Sequence, residues 1–93
     1  MNRNEKLLKI LKYKGTATQI LKFCEEAAEA IQAVAKADRE KIIEEFADLE
    51  NLKAQIQIMY TITSKEIRDM QDKKITRQLD RIKKEKDGRN EKR

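Results

Sequence analysis

The stretch REKIIEEFADLENLKAQIQIMYT, residues 39–61, decides the fold because its apolar residues recur in the steps of a packed helix. Asp38, immediately before it, is a good N-cap, and the helix that it opens is expected to be roughly 35 Å long at about 1.5 Å per residue. The apolar seam consists of Ile42, Leu49, Leu52, Ile56 and Met59. Such a heptad seam is typical of a helix that packs lengthwise against another helix.

The rest of the chain also favours helix, because it has no proline and only two glycines. A first helix is expected over residues 4–14, ended by Gly15, and a second to about residue 36, capped by Thr16 or Thr18. Thr63 and Glu66 form a capping box for a fourth helix to about residue 86, followed by a polar tail over 87–93. The apolar faces are Leu7, Leu8, Ile10 and Leu11 in the first helix and Ile67, Met70, Ile75, Leu79 and Ile82 in the fourth. The sequence therefore predicts an all-α bundle of about four helices, as a single domain over residues 1–86.

The second helix has an apolar stripe that is expected to face the core, made of Cys24, Ala28, Ile31 and Ala35. Cys24 is the only cysteine, so an internal disulfide is excluded, and a buried, inert thiol is expected. A domain of this length buries only about 60–65% of its unfolded surface, so its core is thin. Oligomerisation is therefore expected to complete the bundle, as a dimer or a tetramer.

Charge is distributed unevenly along the chain. Residues 1–14 carry five basic and one acidic side chains, residues 15–62 five and nine, and residues 63–93 twelve and seven. This acidic centre argues against a protein that binds nucleic acid along its whole length. The apolar run at the N-terminus is too short and too charged for a signal peptide, and no stretch approaches the roughly 18 apolar residues of a membrane span. A cytoplasmic protein without membrane contact is expected.

Two acidic motifs are the candidate functional feature. Glu26 and Glu29 lie three residues apart in the second helix, as do Glu45 and Asp48 in the third, so each pair projects from one side of its helix. If the two helices pack antiparallel, four carboxylates converge between them. Glu45 falls at an inward position of the heptad seam, where a carboxylate is costly unless it is paired or metal-bound. Because the chain has no histidine, chemistry near neutral pH falls to residues such as these.

A purely structural interpretation of the acidic motifs competes with the functional one. Exposed glutamates are common in a chain with 42% charged residues, and Glu45 can also pair with a lysine or arginine from the first or fourth helix. Few basic neighbours flank the motifs, and there are none over residues 23–35. Carboxylates without basic partners are suited to Mg²⁺, which binds oxygen ligands and substrate phosphates.

At these residues the sequence resembles the MazG-like nucleotide pyrophosphohydrolases of the all-α NTP pyrophosphatase superfamily. Their ExxE and ExxD motifs correspond to Glu26–Glu29 and Glu45–Asp48, with fifteen residues between, and both motifs begin with doubled acids. The resemblance extends over about residues 16–82 and implies hydrolysis of a nucleoside triphosphate to a monophosphate and pyrophosphate. It also implies Mg²⁺, or Mn²⁺ in its place, held by Glu26, Glu29, Glu45 and Asp48, with Glu25 close by. Members of the family form dimers or tetramers.

The chain departs from the family in having few aromatic residues, namely Tyr13, Phe23, Phe46 and Tyr60, which leaves the base preference open. Lys74, Arg77 and Arg81 share one face of the fourth helix and are candidate phosphate contacts, with a solvated charged face as the alternative. Two other functions compete with the enzyme: a non-catalytic helical interaction module, and a nucleic-acid-binding protein that uses its basic C-terminal helix.

Overall fold

The computed structural model describes the backbone of residues 1–91 and the side chains of residues 1–88. Within residues 1–91 it consists of four α-helices and no strands: α1 Arg3–Lys14, α2 Thr16–Ala35, α3 Arg39–Tyr60 and α4 Ser64–Glu91. The all-α class predicted from the sequence is confirmed. The described chain divides into two compact units, Met1–Thr61 and the segment from Ile62 onward. The single domain over residues 1–86 stays a prediction.

Local sequence signals account for most helix ends. The Asn2 side chain caps α1 by accepting from the Glu5 amide at 2.8 Å, and Gly15 ends the helix at φ 91°, a conformation that glycine adopts without a Cβ clash. Asp38 caps α3 as predicted, accepting from the Lys41 amide at 3.2 Å. The cap expected from Thr16 or Thr18 is wrong, because Gly15 occupies the N-cap position of α2 and makes no side-chain hydrogen bond.

The capping box at the start of α4 is confirmed. The Thr63 amide donates to Glu66 Oε2 at 2.7 Å, and the Glu66 amide donates to Thr63 Oγ1 at 3.1 Å. The hydrogen bond from the Thr63 amide, together with that from its hydroxyl, holds the pKa of Glu66 below its ordinary value. α4 runs to Glu91, beyond the end expected near residue 86. Its side chains Met70, Ile75, Leu79 and Ile82 are exposed, and Ile67 is half-buried.

α2 and α3 form the antiparallel hairpin on which the first unit is built. The short connection over residues 36–38 joins them, and the Gln19 amide near the start of α2 donates to Gln55 Oε1 near the end of α3 at 2.8 Å. α1 lies against this hairpin, because Gln55 Nε2 donates to the carbonyl of Leu7 at 3.1 Å. Four polar or charged residues are buried in the described part of the chain: Gln19, Glu26, Glu45 and Gln55.

The apolar core is small. Among the described side chains the buried hydrophobic residues are Leu7, Leu11, Ala30, Ala33 and Leu52. The predicted seam of α3 lies inward, with Leu52 buried and Ile42, Leu49, Ile56 and Met59 half-buried. No helix among the described residues is long and apolar enough to cross a membrane.

The stripe predicted for the core side of α2 is wrong. Cys24, Ala28, Ile31 and Ala35 are all exposed, and the thiol expected to be buried is exposed with them. The buried positions of α2 are Gln19, Glu26, Ala30 and Ala33. α2 carries apolar residues on more than one side. The spacing of its apolar residues therefore does not identify the buried side, which includes Gln19 and Glu26.

Candidate metal centre

Three carboxylates converge where α2 and α3 meet. Glu26, Glu29 and Glu45 each place one oxygen within 4.8 Å of the others. Glu45 is 2% exposed and Glu26 is 7% exposed, whereas Glu29 is exposed at the edge of the cluster. Two acids are thus held inside the hairpin while the third remains accessible to solvent.

Helix geometry explains this convergence. Glu26 belongs to the buried stripe of α2 together with Ala30 and Ala33, and Glu29 follows it by nearly one turn. Glu45 occupies the inward position of the α3 seam that the heptad spacing predicted. The antiparallel register brings the middle of α2 level with the first half of α3, so the predicted meeting of the two motifs is observed for these three residues.

A lysine stands one helical turn before each buried acid. Lys22 Nζ lies 3.4 Å from Glu26 Oε1, and Lys41 Nζ lies 3.4 Å from Glu45 Oε1. The expectation that few basic residues near the motifs could neutralise them is therefore wrong for the two buried acids, because it overlooked the helical turn that precedes each of them. Both lysine side chains are about half exposed, at 52% and 51%. Solvent screens such pairs and reduces what they contribute to stability.

One oxygen of each buried acid has no partner within the described part of the chain. These atoms are Glu26 Oε2 and Glu45 Oε2. A buried carboxylate oxygen that has lost its water without gaining a donor destabilises the fold. A hydrogen bond with Glu45, which can form only when one of the two carboxyl groups is protonated, and burial both raise the pKa of Glu26 above its ordinary 4.5, against the opposing effect of Lys22. The arrangement thus favours a species that brings positive charge between the two acids, whether a proton or a metal cation.

The remaining predicted acids lie at the edge of this cluster. Asp48 is exposed and is not among the three converging carboxylates, but it lines a cavity together with Glu26. Glu25 is exposed and lies 3.8 Å from Lys22 Nζ. The structure therefore brings Glu26, Glu29 and Glu45 together, and it places Asp48 and Glu25 nearby on the same two helices.

The cavity beside the cluster has a volume of about 380 Å³, within the range of about 300–1,000 Å³ that is usual for small-ligand sites. It is lined by Leu7, Ile10, Gln19, Lys22, Glu26, Asp48, Asn51, Leu52 and Gln55. The paired amides of Gln19 and Gln55 form its polar floor and are fixed by the hydrogen bond to the carbonyl of Leu7. Three of the lining residues are apolar and six are polar or charged, a mixture that suits an organic ligand with hydrogen-bonding edges.

Sequence reasoning missed four residues of this cavity: Gln19, Lys22, Asn51 and Gln55. The sequence did contain a signal for Gln19. Gln19, Glu26 and Ala33 are spaced by seven residues and therefore lie along one side of α2. The predicted phosphate contacts Lys74, Arg77 and Arg81 are exposed on α4. Their assignment stays a prediction.

No protein-family model, no curated protein and no solved structure matches this chain. The resemblance to MazG-like enzymes therefore depends on the two acidic motifs of the sequence alone and stays a prediction.

Proposed function

We propose that this chain is a Mg²⁺-dependent nucleoside triphosphate pyrophosphohydrolase, which converts a (deoxy)nucleoside triphosphate and water into the monophosphate and pyrophosphate. The single observation that carries the proposal is the pair of buried oxygens without donors, Glu26 Oε2 and Glu45 Oε2, inside a cluster of three carboxylates. Glu26, Glu29 and Glu45 would hold the cation, with Asp48 the fourth ligand that the family motif implies.

The donor set fits a hard cation. All three converging ligands are carboxylates, with no histidine or cysteine among them, and oxygen-only sets favour Mg²⁺ or Mn²⁺ over the softer metals. Bound there, Mg²⁺ would offset charge on the triphosphate and activate a water molecule, which a chain without histidine needs.

Lys22 has a role that follows from its two positions. It pairs with Glu26 and also lines the cavity. With Glu26 holding a cation, the ammonium group of Lys22 would be free to contact a phosphate oxygen. The cavity would take the rest of the nucleotide, with Asn51 and the fixed Gln19–Gln55 pair offering hydrogen bonds to its polar edges.

Glu45→Gln tests the proposal because it keeps the shape of the side chain and removes one charge. We expect loss of magnesium-dependent pyrophosphate release, by at least about 100-fold if a cation ligand is lost. In the absence of metal, the variant should be as stable as the original protein or slightly more stable, since like charges are relieved. Mg²⁺ should raise the melting temperature of the original protein and raise that of the variant much less.

Glu44→Gln is the matched control. Glu44 precedes Glu45, is exposed, and lies 3.9 Å from the same Lys41 Nζ, so it shares the basic partner but not the cluster. It should retain activity and its response to Mg²⁺. If Glu45 only forms a structural pair with Lys41, Glu45→Gln will be destabilised without metal and still active, and that result would contradict the proposal.

A second candidate, a non-catalytic helical interaction module, is favoured by the exposed apolar side chains of α2 and α3, among them Ile31 and Phe46. The third, nucleic-acid binding, is favoured only by the charge of residues 63–93. Screening the protein against a panel of ribo- and deoxynucleoside triphosphates with Mg²⁺ separates the enzyme from both. Steeply salt-dependent binding of nucleic acid, without pyrophosphate release, would favour the third.

A further inference from the structure

The amide side chains at the floor of the cavity beside the carboxylate cluster form a hydrogen-bonded chain with one direction. It begins at the backbone carbonyl of Leu7, which can only accept, so Gln55 presents its Nε2 group there at 3.1 Å. The same amide turns its Oε1 atom toward Gln19, whose Nε2 group donates to it at 2.8 Å. A backbone atom therefore fixes both amides, because turning either of them around would bring two oxygens together.

One atom of this chain is both unpartnered and accessible, and it is Gln19 Oε1. It has no hydrogen-bond partner in the described part of the chain, yet it is not one of the orphaned buried oxygens, which belong to Glu26 and Glu45. Gln19 is 7% exposed and lines the cavity, so the accessible oxygen faces the cavity. The floor thus offers a hydrogen-bond acceptor whose orientation is fixed.

The position of this acceptor suits the outer edge of a nucleobase. Gln19 lies seven residues before Glu26, which is about 10 Å along α2 at about 1.5 Å per residue. That distance is comparable with the separation between the 5′ phosphate of a nucleotide and the outer edge of its base. Phosphates held at the carboxylate cluster would therefore direct the base toward Gln19. The apolar lining residues suit the flat faces of a base, and they are Leu7, Ile10 and Leu52.

We infer that the cavity selects nucleotides whose base carries an amino group at its outer edge, namely cytosine and adenine. This inference rests on the proposed function and narrows its substrate class. The N4 amino group of cytosine and the N6 amino group of adenine are donors that match Gln19 Oε1, whereas thymine and guanine place a carbonyl oxygen at the same edge. Uracil and hypoxanthine do the same. An oxygen that faces another oxygen loses its water without gaining a donor, so these bases are disfavoured.

The test compares substrates that differ in this one edge. Steady-state kcat/KM with Mg²⁺ should be higher for cytidine than for uridine triphosphate, and higher for adenosine than for inosine triphosphate, by about 10-fold or more in each pair. Calorimetric binding of the four corresponding monophosphates should give the same order, and this measurement requires no hydrolysis.

Gln19→Met removes the acceptor and keeps the length of the side chain. Both preferences should fall toward equality, through losses for the cytidine and adenosine nucleotides with little change for the uridine and inosine nucleotides. Gln32→Met is the matched control, because Gln32 is exposed on the same helix and does not line this cavity. It should retain both preferences.

The outcomes separate this inference from the proposed function. If no triphosphate releases pyrophosphate, the proposed function is wrong. If all four are hydrolysed equally well, or the uridine and inosine nucleotides are preferred, only the selection by Gln19 is wrong. Preferences unchanged in Gln19→Met, or monophosphates that bind equally or not at all, would also overturn the inference. If Gln19→Met does not fold, the comparisons made with the original protein still decide the matter.

Discussion

The two sides of α2 have the reverse of the usual polarity, since in a typical surface helix the inward side is apolar and the outward side is polar. Its inward side carries Gln19 and Glu26 beside two alanines, whereas its outward side carries Leu21, Ile31 and Val34. The inward polar groups line a cavity and a carboxylate cluster. The comparison teaches that polar residues can occupy the inward side of a helix and leave its larger apolar residues exposed.

The largest effect on stability is expected from a substitution in the small apolar core of the hairpin. Leu52→Ala removes one of the few buried large side chains and should lower the free energy of unfolding by about 2–5 kcal/mol, through lost burial and the cavity left behind. Urea denaturation followed by circular dichroism measures this.

Leu21→Ala is the control for that experiment, because Leu21 is 66% exposed on the outward side of α2. Its free energy of unfolding should change by no more than about 0.5 kcal/mol. Equal losses in the two variants would mean that the outward side also contributes to the monomer's core.

An intermediate effect on stability is expected when the buried carboxylate on the inward side of α2 is replaced by an apolar side chain. Glu26→Leu replaces a buried carboxylate that has an unpartnered oxygen and whose lysine partner is half exposed. Without metal, the variant should be more stable by about 1–2 kcal/mol, because the cost of burying the carboxylate is removed and the half-exposed Lys22 is not left as a buried unpaired charge. Thermal denaturation in a chelating buffer checks the prediction, and a loss of stability would indicate that Glu26 is a structural residue.

The smallest effect concerns pH. The pKa of Glu26 is raised above its ordinary 4.5, chiefly by the hydrogen bond with Glu45 and by burial. The folded protein therefore binds the proton more tightly than the unfolded chain, and this contribution is fully present below pH 4.5. It should be lost as pH rises through the raised pKa, after which stability no longer depends on this group.

Melting temperatures of the metal-free protein, measured from pH 4.5 to 8, follow this change. Glu26→Gln is the comparison, because it cannot titrate and should lack this part of the pH dependence. A metal-free stability that rises with pH over the same interval, equally in both proteins, would contradict the assignment.

Several features were predictable because they depend on neighbours in the sequence. The four helices, the Asp38 cap and the box formed by Thr63 and Glu66 need only residues within one turn of each other. The inward position of Glu45 was also predictable, since Glu45 falls in the heptad register of Ile42 and Leu52, which lie inward.

The side of α2 that is buried was not predictable in this way. α2 has apolar residues around much of its circumference, so the stripe containing Cys24 and Ile31 was as plausible a core side as the one containing Glu26. The lysine pairs were missed because Lys22 and Lys41 precede the acidic motifs and only helix geometry brings their ammonium groups back to the acids.

The sequence by itself determined the helical class, most helix ends and the two acidic motifs, because hydrogen bonds and side-chain preferences within a few residues are sufficient for these. Only the tertiary structure decided that α2 turns Gln19 and Glu26 inward, that Glu26, Glu29 and Glu45 converge, and that two buried oxygens are left without donors. The physical reason is that the rotation of one helix against another depends on the summed packing of all their side chains, including polar ones, and no local pattern records that sum.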